Sequence, residues 1–385
     1  METRHRRYQR WRRLAGFMFC LLAIEVSAPA QSPIQSNFPR FDWEPTIAPP
    51  GANYAGTAAC ATCHVTEAAK QPSTPMGQAL RRPEESEVLR KYPQMTFRSG
   101  PYIYEIRREG NSGVYSVSDG QRTIIVPILA AVGFGLDNIA QTYVFEYEGN
   151  FFESEVTYYD RIHGLDITLG HQSTKPAFLE GALGIRLPWR DEWLCFGCHS
   201  TAAVSGYRFQ LNNMIPGISC EGCHGPGVDH IAAVKSGHGE DLHIFNPASL
   251  RPGDENEFCG ACHRTLLTEK LLGIHGVQNI RFQGYRLARS RCYSTEDRRI
   301  TCVACHNPHE PLVHNEHSYD SKCLACHPGN APAKTLESGQ VALPCPKFKK
   351  DCVACHMPKL EIPGSHFKFS DHWIRIAKAN STYPE

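Results

Sequence analysis

Fourteen of the chain's 17 cysteines fall into seven copies of Cys-x-x-Cys-His. They are Cys60-Cys63-His64, Cys195-Cys198-His199, Cys220-Cys223-His224, Cys259-Cys262-His263, Cys302-Cys305-His306, Cys323-Cys326-His327 and Cys352-Cys355-His356. A shuffled chain of this composition would hold roughly 0.04 such motifs. In this spacing two thiols can bond covalently to the two vinyl groups of a haem, and the adjacent histidine then lies under the iron as proximal ligand. Zinc is the competing chemistry, since paired Cys-x-x-Cys motifs also build tetrahedral sulfur sites. Zinc ribbons do not require histidine directly after the second cysteine, yet here it follows in all seven cases. The spacing therefore predicts seven covalently attached haem c groups. It excludes an ordinary cytosolic hydrolase, a disulfide-only scaffold and a disordered linker.

The second axial ligand is less constrained. Beyond the seven motif histidines and His5, eleven of the 19 remain: His163, His171, His230, His238, His243, His275, His309, His314, His317, His366 and His372. With metal–nitrogen bonds of about 2 Å, opposed axial histidines have Cα atoms roughly 13 Å apart. Three residues span at most about 10 Å, so His309 cannot close the haem of His306 and must serve another iron or none. His230 could reach the haem of His224 only by circling the ring edge, which favours a neighbouring haem. His238 and His243, beside glycine and Asp241, read equally well as solvated surface residues. Met76 is either an axial ligand to the first haem, raising its potential relative to bis-His ligation, or a side chain packed on porphyrin. Cys292 and Cys345 are unmatched; a disulfide is the first expectation in an oxidising compartment, with free buried thiols or an iron ligand as alternatives.

The elements that must hold these residues divide the chain into six segments. Residues 1–30 carry six arginines, then an apolar stretch from Leu14 to Val26 and Ala28-Pro29-Ala30, the order of a signal peptide cut after Ala30. An N-terminal anchor is the alternative, although the stretch is short and contains Glu25. Cys20 lacks the small residues a lipoprotein site needs before it. Proline-rich residues 31–56 read as an extended segment, and 57–95 as the first haem segment. Residues 96–168 carry no motif; alternating Tyr102, Tyr104 and Ile106, turns at Glu109-Gly110-Asn111, Asp119-Gly120 and Glu148-Gly149-Asn150, and flanking apolar runs predict about five antiparallel strands. Residues 169–376 form a six-haem region of short helices and loops, for instance at His230 to Ser236 and Arg264 to Leu272, and 377–385 a tail. The expected fold class is thus a multihaem cytochrome c: mostly short helices and loops around haems, with an inserted antiparallel β-rich module.

The run Cys220-Glu221-Gly222-Cys223-His224-Gly225-Pro226-Gly227 with His230, the run Cys302-Val303-Ala304-Cys305-His306-Asn307-Pro308-His309, and Cys352-Val353-Ala354-Cys355-His356-Met357-Pro358 resemble multihaem cytochromes of the cytochrome c-552/c-554 type. The resemblance covers most of residues 57–376. The motif-free segment, Gly170-His171 included, is similar to a β-rich insert in a subgroup of exported bacterial multihaem proteins. This resemblance implies electron transfer through closely packed, mostly bis-His haems, with His171, His230, His309 and one or both of His366 and His372 as distal ligands. The wider superfamily also includes nitrite reductases and hydroxylamine-oxidising enzymes. This chain lacks the Cys-x-x-Cys-Lys motif of pentahaem nitrite reductases, and its motif count is seven rather than five or eight.

Two functions follow as expectations. The first is an exported, periplasmic electron carrier; the second is an oxidoreductase acting on a small nitrogen or sulfur compound at a five-coordinate haem, most plausibly the first or the one at His263. A conductive assembly of stacked subunits is not separable from the first by sequence. The net charge of +1 gives no sign of a nucleic-acid partner. Loss of residues 1–30 removes six arginines and two glutamates, so 40 basic and 39 acidic residues become 34 and 37, a net −3. Fourteen propionates would bring the ferrous protein to about −17 and the ferric protein to about −10. The expected partners are redox proteins with a basic docking patch; membrane association would come through a redox complex.

Overall fold

The computed structural model describes residues 52–133, 139–171, 176–205, 208–237, 242–327, 334–335, 341–342, 350–377 and 383. The expected signal peptide, most of the proline-rich segment, His238, Cys345 and most of the expected tail lie outside the described residues.

Ten strands form one antiparallel sheet: β1 (Leu80–Arg81), β2 (Gln94–Ser99), β3 (Tyr102–Glu109), β4 (Ser112–Ser118), β5 (Thr123–Gly133), β6 (Ala140–Tyr147), β7 (Asn150–Ser154), β8 (Val156–Tyr159), β9 (Gly164–Ile167) and β10 (Gly184–Arg186). Its main order is β10-β7-β6-β5-β4-β3-β2; β1 joins β5, and β8 bridges β6 and β9. In β3 the period of two buries Tyr102, Tyr104 and Ile106 and leaves the residues between them half-exposed. At the β4–β5 turn, Asp119 accepts the amides of Gln121 and Arg122 at 2.9 and 2.7 Å. The β6–β7 turn puts Glu148 at φ 50° and Gly149 at φ 72°, the pair of left-handed residues that a tight hairpin needs.

The sheet is larger than the five strands expected, and the run from Phe151 to Tyr159 is two strands rather than one. It breaks at Glu155, where the Ser154 hydroxyl donates to the Val156 carbonyl at 2.7 Å and the Glu155 amide donates to the Leu183 carbonyl. Strand β5 also changes face. Its register shifts between Ile128 and Ala130, so Val126 and Ile128 point into one core while Ala130 and Val132 point into another. The first core holds Tyr104, Tyr115, Phe145 and Tyr158. The second joins Leu80, Val132 and Val144 to Phe196, Ala203 and Met214. Phe196 is an internal residue of the second Cys-x-x-Cys-His, so the sheet's second core anchors that motif directly.

Twelve helices accompany the sheet among the described residues: α1 (Thr57–Cys60), α2 (Val65–Lys70), α3 (Glu87–Lys91), α4 (Trp189–His199), α5 (Cys220–His224), α6 (Val228–Ser236), α7 (Pro252–His263), α8 (Leu266–Leu272), α9 (Gln283–Ala288), α10 (Cys302–Cys305), α11 (Asp320–Leu324) and α12 (Cys352–His356). None of these helices is long and apolar enough to cross a membrane. The segment after α12 forms a two-stranded ribbon, Lys359–Glu361 with Lys368–Ser370, and then returns past α9. There Arg286 and Asp371, both fully buried, meet in a bidentate pair at 2.8 Å on each arm.

Candidate functional site

Each motif uses helical geometry in the same way. Cysteines at i and i+3 and histidine at i+4 share one face of a turn, so two thiols and one imidazole face the same space. Helices α4, α5, α7 and α12 end on their motif histidines. Residues from six of the seven motifs, all but the first, line one continuous cavity of about 3180 Å³. Ordinary small-molecule pockets run roughly 300–1,000 Å³, so the space suits several large ligands rather than one. Thiols of different motifs neighbour one another, Cys198 with Cys262, Cys259 with Cys302 and Cys323 with Cys352 at the cavity walls and Cys60 with Cys220 beside it.

Backbone carbonyls set the histidine rings. Nδ1 of His199 lies 3.1 Å from the Ala79 carbonyl, that of His224 2.9 Å from Phe245, and that of His356 2.9 Å from Arg375. His230 and His372 are held likewise by Leu242 at 2.8 Å and Ser370 at 3.1 Å. A carbonyl can only accept, so Nδ1 carries the proton and Nε2 keeps its lone pair for a metal. Burial pushes the pKa of His199, His263 and His306 down, and that of His372 down to about 4 with His306 adding to the effect. Each is thus held in the neutral form that can coordinate.

Three pairs of these rings face each other across gaps of one size. Ring centroids are 6.5 Å apart for His64 and His230, 6.1 Å for His224 and His309, and 6.2 Å for His306 and His372. An iron midway between two imidazoles, with bonds of about 2 Å and each centroid about 1.1 Å behind its nitrogen, needs roughly 6 Å. His309 therefore meets His224 rather than its sequence neighbour His306, and His230 meets His64. Among the described residues, no second histidine ring pairs with His199, His263 or His356.

The other residues singled out in the sequence lie as follows. His171 is buried in the sheet with Nδ1 3.0 Å from Glu155 and Nε2 3.4 Å from Glu153. Burial opposes its imidazolium, but the two carboxylates outweigh it and hold the pKa up at about 9. His366 places Nε2 2.8 Å from Asp166 and its ring edge-on to Tyr159. Met76 lines the cavity, with its carbonyl accepting the Ile218 amide at 2.9 Å just ahead of α5. Cys292 lines the cavity too, and burial pushes its thiol up to about 11; Cys345 lies outside the described residues. Arg264 and Arg281 line the cavity, Arg264 near His199 and His263 and Arg281 near Arg264. Arg281 has surface open to the cavity but is otherwise enclosed, and burial, then Arg264, lower its pKa.

Sequence reasoning missed three acids, Glu221, Glu255 and Asp320, which bind backbone amides of other motifs. A signal was present: each stands in or just ahead of a motif. The anchoring carbonyls had no signal, because every residue type carries one.

A family model described as cytochrome c554 and c-prime matches residues 178–225, which hold the second and third motifs. Over 144 residues, 34% of the chain, the sequence is 25% identical to the cytochrome c-type protein NrfB of Escherichia coli O6:H1. That match spans 63% of NrfB's own length. The crystal structure of the outer cell wall cytochrome OcwA aligns with a TM-score of 0.46 at 15% identity, over 84% of this chain and 79% of that one. The family match and the NrfB relative support a c-type cytochrome with covalently bound haem c. The residues present fit that group: thiol pairs on one helical face, Nδ1-anchored imidazoles, and ring pairs spaced for an intervening iron.

Proposed function

We propose that the chain is an exported heptahaem cytochrome that passes electrons along closely packed, mostly bis-His haems. The observation that carries this reading is the spacing of the three histidine pairs. In each, a motif histidine faces a ring from a later part of the chain: His230 for His64, His309 for His224, His372 for His306. Haem c, when bound, supplies a one-electron iron couple whose potential follows its axial ligands, burial and nearby charge. The chain's own part is to fix ligands and spacing. The fourteen motif cysteines hold the macrocycles, the seven motif histidines ligate from one side, and the carbonyl-anchored rings keep Nε2 on the iron axis. The proposed organisation is a signal peptide at 1–30, haem segments at 57–95 and 169–376, and a β-rich module at 96–168 that bears the second motif against its core. The redox partners are proposed to carry a basic docking patch, and export to place the protein in the periplasm. Mass spectrometry and a haem stain of the secreted holoprotein test the count: seven covalent haems are expected, and fewer than six overturns the reading.

A specific observation favours a second reading, an oxidoreductase acting on a small nitrogen or sulfur compound. His199 and His263 face no second histidine ring among the described residues, and Arg264 stands beside them, with Arg281 near Arg264, as donors for a small anion. A high-spin ferric signal that shifts with nitrite or hydroxylamine identifies this activity. Seven low-spin irons remove its substrate site.

A further inference from the structure

Three buried carboxylates recur in one arrangement. Glu221, between the cysteines of the third motif, accepts the Ala55 and Gly56 amides at 2.7 and 2.9 Å, where the chain enters helix α1 of the first motif. Glu255, four residues ahead of Cys259 in α7, accepts the Val303 amide of the fifth motif at 2.9 Å. Asp320, three residues ahead of Cys323, accepts the Asp351 and Cys352 amides at 2.9 and 2.8 Å, at the start of the seventh motif's helix. Their exposures are 1, 3 and 8%. A helix start leaves its first amides without intrahelical partners, and a capping side chain ordinarily comes from the same helix. Here all three come from a different motif. The thiols of the same couples are neighbours: Cys60 with Cys220, Cys259 with Cys302, Cys323 with Cys352.

We propose that Glu221, Glu255 and Asp320 are positioning residues that join the motifs in couples, first with third, fourth with fifth and sixth with seventh, and fix the spacing of the haems each couple holds. The inference rests on the reading that these motifs carry haem. Charge-assisted bonds from a buried carboxylate to amides, two for Glu221 and Asp320 and one for Glu255, are short and directional, so one side chain sets one helix relative to another. Each carboxylate also places a negative charge in a low-dielectric wall next to two irons, which favours the ferric state of both.

The test uses holoproteins of Glu221→Gln, Glu255→Gln and Asp320→Asn, each read by spectroelectrochemical titration and haem count. Each variant is expected to keep the parental haem number and to shift two potentials upward, a different two in each variant. Potentials that stay parental, or a shift spread over all haems or confined to the same two in every variant, overturn the proposal. If a neutral variant does not accumulate, Glu221→Asp, Glu255→Asp or Asp320→Glu takes its place. With the charge kept and the reach altered, the potentials are expected to stay near parental while amide exchange at Gly56, Val303 or Cys352 quickens; parental exchange there overturns the proposal. A parent protein without covalent haem sinks the underlying reading instead, and does so before any variant is made.

Discussion

The residues that decide the behaviour of this cavity are those whose second ring nitrogen is already spoken for. His372 is the clearest: the Ser370 carbonyl takes Nδ1, burial favours the neutral ring, and Nε2 would be free to ligate an iron between it and His306 if the proposed haem is held there. His372→Ala is expected to turn one low-spin haem high-spin while the others keep their spectra, as read by electron paramagnetic resonance; His309→Ala and His230→Ala should each do the same to a different haem. No change in spin state in any of the three refutes the pairing. His171 makes the opposite case. Its two nitrogens face Glu155 and Glu153, an arrangement that suits a buried imidazolium more than a ligand. Its folded pKa of about 9 lies above the ordinary 6.5, so its contribution to stability is complete below about pH 6.5 and is lost as pH rises through about 9. The stability gap between the parent and His171→Gln should therefore narrow between pH 6.5 and pH 9 in thermal unfolding. A gap independent of pH indicates a ring bound to iron, which does not titrate.

At the scale of elements, the C-terminal return after α12 does two jobs at once: its Arg375 carbonyl orients His356, and it delivers His372 to His306. What fixes it is the fully buried Arg286–Asp371 pair, to which Arg375 adds a second guanidinium at 2.6 Å and the Trp373 amide a further bond at 3.0 Å. Removing one partner of a buried pair leaves an uncompensated charge, at a cost of about 3–5 kcal/mol. Asp371→Asn, which leaves the buried Arg286 guanidinium without its carboxylate, is expected to lose that much in chemical denaturation and to perturb the surroundings of His306 ahead of the rest; a loss under about 1 kcal/mol places the fixing contact elsewhere. None of this was legible in the sequence, because Arg286 and Asp371 are 85 residues apart and neither belongs to a motif. The motifs and hairpins were legible because each is set within a few residues: the thiols and imidazole by one helical turn, the β4–β5 turn by Asp119 and Gly120. The break at Glu155 was not, since the apolar run passes through it and only the Leu183 carbonyl, brought by a distant segment, stops the strand. Likewise His309 could be excluded from its own haem by chain reach, but its meeting with His224 depends on how α5 and the segment after α10 come together.

On the scale of the whole molecule, neighbouring thiols give the motifs an order. The first lies near the third, the fourth near the fifth and the second, and the sixth near the seventh. Cys223 of the third faces Cys259 and Cys262 of the fourth, and Cys305 of the fifth faces Cys323 of the sixth. One continuous series therefore runs first, third, fourth, fifth, sixth, seventh, with the second branching at the fourth toward the sheet. A series has ends, and the first motif is the one whose residues do not line the shared cavity; its Cys63 and His64 are exposed. If the chain passes electrons as proposed, that end is where exchange with another protein is expected. If residues 1–30 are removed and haem propionates are added as proposed, the chain is acidic and the encounter is steered by charge, and steering weakens as the Debye length falls from about 30 Å at 0.01 M salt to about 3 Å at 1 M. Electron exchange with a basic redox protein should accordingly slow by at least tenfold over that range in stopped-flow mixing, while exchange with an acidic one should speed up or stay level. A rate with the basic partner that does not depend on salt removes charge from the docking step.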